Sequence, residues 1–341
     1  MTESLVFGLT LVLLGGVCQG SFMLPMKYAK KWRWENAWLI FSSTAYLILP
    51  WLVAFFTVPQ LGNILAHTSR TTILQTLLFG LGWGFGALTF GLGVDRLGLA
   101  LGFAIILGLT AAIGTLVPLW VLSSENLSRS QSGLIFLGVV LILVGFSLCS
   151  WAGKLKEVAL KGETRSVSNS DPKSFAIGLL LCILSGVLSP FGNLGFAFGS
   201  EISRVALEFG TSEFYAANPL WAVITLPLFL CNASFCVYLL IRDKSAEQFL
   251  SSPRHYYLLC ISMGALWIVG MALYGSGANH LGPIGSSVGW AILMSSMVIV
   301  ANVWGVVTGE WKKSGRKPLQ VMGFGVLALT VAIFAIGLSK R

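Results

Sequence analysis

An all-α integral membrane protein, with ten transmembrane helices arranged as two inverted five-helix repeats, is expected from three features of this 341-residue chain. Its composition is too apolar for a soluble surface. Its charge-free windows have the length of membrane spans. One stretch of the first half is echoed in the second.

Composition excludes most alternatives. Only 10% of the residues are charged and 55% are hydrophobic, with a mean hydropathy of +0.82, where a soluble domain carries about 25% charged residues to hydrate its surface. A cytosolic enzyme and a disordered regulator are therefore excluded. The net charge of +9 does not indicate nucleic acid as a partner, because the 22 Lys and Arg fall in short clusters between apolar stretches, and a nucleic-acid binder gathers them on one folded face. The expected surroundings are a lipid bilayer.

A membrane helix needs about 20 mostly apolar residues. The windows free of charge are 4–26, 36–69, 71–94, 97–124, 130–153, 174–200, 214–241, 255–309 and 318–339. The eighth covers 55 residues, about 80 Å if helical at 1.5 Å per residue. Gly275, Gly277, Asn279, His280, Gly282 and Pro283 in its middle favour a turn, so it splits and the total is ten. The first window lacks a basic start, and its Lys cluster follows rather than precedes it, so it reads as a retained span and not a cleaved signal.

Basic residues accumulate in cytoplasmic loops. The odd-numbered loops hold Lys27, Lys30, Lys31, Arg33, Arg96, Lys154, Lys156, Lys161, Arg165, Lys173, Arg242, Lys244, Arg254, Lys312, Lys313, Arg316 and Lys317, which is 17 of the 22 Lys and Arg. The opposite side has Arg70, Arg129, Arg204, Lys340 and Arg341. Both termini are expected outside the cytoplasm.

The repeat is read from 80–98, which aligns without gaps on 264–282 with seven identities: Gly80 with Gly264, Trp83 with Trp267, Gly86 with Gly270, Gly91 with Gly275, Gly93 with Gly277, Leu97 with Leu281 and Gly98 with Gly282. Phe90 also faces Tyr274. At a second offset, Gly8, Leu9, Leu11, Leu14, Gly16 and Val17 match Gly178, Leu179, Leu181, Leu184, Gly186 and Val187. The expected organisation is a first repeat over 1–153, a cytoplasmic linker over 154–173 and a second repeat over 174–341. Five crossings per repeat turn the second upside down, the plan of many secondary transporters, whose substrate site lies near the midplane at the repeat interface.

Energy would come from a gradient, since no phosphate-cradling Gly-rich loop ending in Lys and Ser or Thr is present. No span carries the paired carboxylates or His cluster of an intramembrane enzyme. The six cysteines show neither zinc-ligand nor redox spacing and read as small apolar packing residues. No catalytic residue, cofactor or metal is expected.

Binding residues are sought where polar groups stand inside spans, because such groups are costly unless paired or facing a wet cavity. Gln19 in span 1 and Asn193 in span 6 lie just past the matched segments, each with donors and acceptors that suit a sugar. Gly and Pro interruptions point to a site, and they occur at Gly15, Gly16, Gly20 and Pro25 and at Gly186, Pro190, Gly192, Gly195 and Gly199. Trp83 and Trp267 stand mid-span at repeat-equivalent positions, and an indole face stacks on the apolar face of a pyranose. The competing readings are bonds to nearby backbone for the amides and symmetric core packing for the indoles. Asn232 and Asn302 read as helix-to-helix contacts. Trp32, Trp34, Trp38, Trp51, Trp120, Trp151 and Trp311 sit near span ends, as an interfacial belt would.

Candidates for a proton carrier are Asp95, which with Arg96 closes span 3, His280, at the repeat-equivalent point after span 8, and Glu201, the acid nearest an apolar segment on the outer side. The competing reading for each is a solvated loop residue. Glu35 and Glu310 lie among basic residues and read as salt-bridged anchors.

The run of Pro25, Lys27, Lys30, Lys31, Trp32, Trp34 and Glu35, with Pro50 and Trp51, resembles the opening of the bacterial L-rhamnose–proton symporter family. Gly82, Trp83 and Gly84, then Leu97 and Gly98, and finally Glu310, Trp311, Gly315, Arg316 and Pro318 continue the resemblance over nearly the full chain. It implies uptake of L-rhamnose, or a related sugar such as lyxose, with protons across the inner membrane, within the drug/metabolite transporter superfamily. The alternative is an exporter or exchanger of another small metabolite. No residue role is carried over from the family, and the sequence assigns no oligomeric state.

Overall fold

The computed structural model describes residues 2–123, 128–161 and 172–339, among which there is no strand. Ten helices are long and apolar enough to cross a membrane. They are span 1 (Glu3–Tyr28), span 2 (Trp34–Thr57), span 3 (Arg70–Leu97), span 4 (Ala100–Leu122), span 5 (Arg129–Leu160), span 6 (Lys173–Glu208), span 7 (Asn218–Arg242), span 8 (His255–His280), span 9 (Gly282–Val307) and span 10 (Arg316–Leu338). Their outer faces carry exposed Phe55, Phe56, Trp120 and Phe334, which hydrocarbon would cover.

Local chemistry explains the breaks. The long eighth window divides at Gly282, whose φ of +71° only glycine adopts without strain, and a single 3₁₀ turn leads into span 9. Span 2 carries a π-helical segment, Ser43–Ile48, just before Pro50. Proline has no N–H to give the ladder, and the wider turn absorbs the mismatch. Span 6 is three pieces, Pro172–Leu188, Phe191–Phe198 and Ser200–Glu208, divided at Pro190 and Gly199. Its expected interruption is therefore present. Span 1 differs from expectation. It runs as one helix over Thr2–Ser21, straight through Gly15, Gly16 and Gly20, and only the Pro25 region changes to a 3₁₀ turn.

The chain forms two compact units, each drawing on both halves of the sequence: Met1–Phe85 with Phe191–Gly282, and Gly86–Pro190 with Pro283–Arg341. In the first, spans 1 and 8 meet at reciprocal glycines. A Cβ at Gly8 would lie 3.0 Å from the Gly277 carbonyl oxygen, and one at Gly277 would lie 2.7 Å from that of Gly8. In the second, spans 5 and 10 meet likewise at Gly145 and Gly325. Small residues bring backbones close enough for dispersion to hold helices together where water gives no drive.

The first part of the expected 154–173 linker continues the helix Arg129–Lys161. Residues 162–171, including Arg165, lie outside the described residues, as do Lys340 and Arg341.

Candidate functional site

The first unit gathers all four residues expected to bind substrate. Gln19, buried in span 1, donates from Nε2 to the Trp267 carbonyl at 2.8 Å. Trp267 and Trp83 stand with ring centroids 5.8 Å apart and planes inclined by 35°. Trp267 is 5% exposed and takes the edge of Tyr46 at 4.8 Å, while Trp83 is half-buried. Gly192 is what lets Trp83 lie against span 6, since a Cβ there would be 2.7 Å from the indole. The next residue, Asn193, is fully buried and accepts a hydrogen bond from the Tyr274 hydroxyl.

Three aromatic residues of this cluster escaped the sequence reading. Tyr46 comes from span 2. Tyr274 lies seven residues beyond Trp267, hence on the same face of span 8. Trp221 of span 7 stacks on Phe196 at 5.2 Å, and its buried indole N–H has no hydrogen-bond partner. The signal for Tyr274 was its alignment with Phe90; Trp221 offered none.

Gln19 uses one amide hydrogen on backbone, as its competing reading held, and Trp267 leans on aromatic neighbours. Of the two indoles, Trp83 is the more exposed.

The three ionisable candidates are not one cluster. Asp95 belongs to the second unit and is exposed at the end of its helix. Glu201 accepts from the Ser69 N–H at 3.0 Å, the Ser69 hydroxyl at 2.8 Å and the Thr72 hydroxyl. It caps span 3, where an anion opposes the positive end of the helix dipole. His280 has Nδ1 2.8 Å from the Ser276 carbonyl oxygen. A carbonyl can only accept, so Nδ1 carries the hydrogen in this contact. Nε2 faces the Glu213 carboxylate at 3.8 Å.

Both acids expected as anchors are paired. Glu310 meets Lys156 at 3.1 Å, and Lys156 lies over the Trp311 ring at 4.6 Å. Glu35 meets Arg33, also at 3.1 Å. Arg33 reaches on to Asp243 at 2.7 Å. Hydrogen bonds from Arg242, helped by the charge of Arg33, hold the Asp243 carboxyl below the usual carboxylate range.

Two expectations are corrected. Trp32 and Trp311 are 7% and 6% exposed, not members of a lipid-facing belt. Trp32 sits among Phe249, Tyr256 and Tyr257 and donates to the Gln248 carbonyl. Asn302 bonds the Val298 carbonyl of its own helix, whereas Asn232 does join two spans by accepting from Trp38.

The described residues contain no group of three or more His, Cys, Asp or Glu able to hold a metal ion. Residues 1–340 match the sequence model of a family described as L-rhamnose-proton symport protein (RhaT). The chain is 28% identical to the L-rhamnose-proton symporters of Escherichia coli O1:K1 / APEC and of strain SMS-3-5, and 27% identical to that of strain 55989. Each comparison runs over 348 residues and covers 99% of both chains. These relatives are named as transport proteins, not enzymes.

Proposed function

The chain belongs to the L-rhamnose-proton symport protein family, and from that premise we propose that it imports L-rhamnose, or a related sugar such as lyxose, with protons across the inner membrane by alternating access. The observation that carries the sugar part is the meeting of Gln19, Trp83, Asn193 and Trp267 in one unit. A deoxyhexose has hydroxyls for amides and phenols and apolar C–H faces for indoles. Trp83 stacks the ring, with Trp267 behind it. The Asn193 amide and the Tyr274 hydroxyl bond the sugar's hydroxyls, as does the free capacity of Gln19.

Among Asp95, Glu201 and His280, the strongest support as proton carrier falls on His280. Its Nε2 faces the Glu213 carboxylate at 3.8 Å, whereas Asp95 is exposed and Glu201 is occupied as a cap. The 1–153 and 174–341 repeats, inverted about the 154–173 linker, would each contribute helices to both compact units, with the basic loops cytoplasmic and both termini periplasmic.

Cells making the protein should show saturable uptake of labelled L-rhamnose, abolished by an uncoupler and competed by lyxose more than by unrelated sugars. Counterflow driven by other metabolites and not by rhamnose would establish the exporter or exchanger instead.

A further inference from the structure

Among the described residues, Glu35 is the only Asp, Glu, Lys or Arg that is buried, at 4% exposed. It stands at the start of span 2, beside Arg33, and is covered by the segment after span 7. The Ser245 hydroxyl donates to Glu35 at 2.6 Å, and the neighbouring Asn36 amide donates to the Ser245 carbonyl at 2.9 Å. Arg33 joins Glu35 to Asp243, and its backbone N–H donates to Gln248 at 2.9 Å. The charged and titratable groups facing this carboxylate are Arg33 on its own segment, Asp243 with its partner Arg242 across from it, and the Cys236 thiol on span 7. Span 2, which begins beside Glu35, also carries Tyr46, whose ring meets Trp267 in the candidate sugar site at 4.8 Å.

Co-transport requires a group that is shut from water in one state of the cycle, because an exposed group exchanges its proton without regard to conformation. Glu35 meets that requirement more fully than the exposed Asp95 or the partly exposed Glu201 and His280. We propose that Glu35 is a proton-carrying residue of the transport cycle, a role that rests on the symport reading above. One proton converts its carboxylate to the neutral acid, which removes the charge paired with Arg33 and leaves Glu35 a weaker, uncharged acceptor for the Ser245 hydroxyl. The tie between the segment before span 2 and the segment after span 7 then loosens. Release of that proton to water on the cytoplasmic side restores the ion pair and the tie, and no other bond changes.

The test uses the full-length protein in reconstituted vesicles. Glu35→Gln keeps the shape and the acceptor for Ser245 but cannot release a proton. Sugar accumulation under an imposed pH gradient should fall more than tenfold and rhamnose-induced alkalinisation should vanish, while exchange of labelled for unlabelled L-rhamnose falls less than threefold. A structural role would lower exchange and accumulation together, and that result overturns the proposal, as does alkalinisation by Glu35→Gln at the unmodified rate. Should the Gln variant fail to fold, Arg33→Gln serves. Removing the cation favours the protonated acid, so the pH of half-maximal accumulation should move up, and an unmoved profile overturns the proposal. Unmodified protein that exchanges sugar without alkalinising would overturn the symport reading itself, a result distinct from failure of the variant alone.

Discussion

Trp83→Ala should weaken the apparent affinity for L-rhamnose at least tenfold. A stacked ring contributes about 0.5–1.5 kcal/mol beyond area burial. Covering some tens of Å² of C–H surface adds on the order of 1 kcal/mol at roughly 25 cal/mol per Å². Together these exceed the 1.4 kcal/mol or so that corresponds to a factor of ten. Trp83→Phe should recover most of the loss, because a smaller aromatic face remains. Trp267→Ala should also weaken binding, by a different route. Its indole is buried against Trp83 and Tyr46 and its carbonyl holds Gln19, so the substitution opens a cavity costing about 3–5 kcal/mol. Thermal stabilisation by added sugar measures both, since a ligand that binds the native state raises its stability. If folded Trp83→Ala and Trp267→Ala are stabilised by rhamnose as the unmodified protein is, the stacking proposal fails.

Gly80→Ala should cost the most stability for the smallest chemical change. A Cβ there would strike the Ile224 carbonyl and lie 2.7 Å from the Pro227 ring. Neither is the yielding end of a flexible chain, and Pro227 stiffens span 7 at that point. Spans 3 and 7 must therefore separate, at about 2 kcal/mol or more, seen as a lowered unfolding temperature and reduced folded yield in detergent. Gly62→Ala, with open space at its Cβ, should leave both unchanged.

The spans were legible because each signal is local: a run of about 20 apolar residues, or a Gly and Pro cluster such as 275–283. The meeting of Trp83 with Trp267 was foreshadowed by their alignment in two similar segments. Burial was not legible, because it is set by residues distant in sequence. Glu35 follows Lys30, Lys31 and Arg33 and reads as a surface anchor until Ser245, from 210 positions away, is seen to cover it. Trp32 sits where a belt residue would, and only the arrival of Phe249, Tyr256 and Tyr257 makes it a core residue. Glu201 looked like a free acid until the start of span 3 was placed against it. Span 1 kept its glycines in register with span 6 without sharing its break, since Pro190 has no counterpart in the middle of span 1.

Coupling of sugar to proton movement is most directly tested in vesicles containing only this protein, with a pH gradient imposed and labelled L-rhamnose outside. Acid outside should drive rhamnose above its external concentration, with one or more protons entering per sugar, and a protonophore should return it to equilibrium. Equal levels inside and out, the same with and without the gradient, would contradict the account.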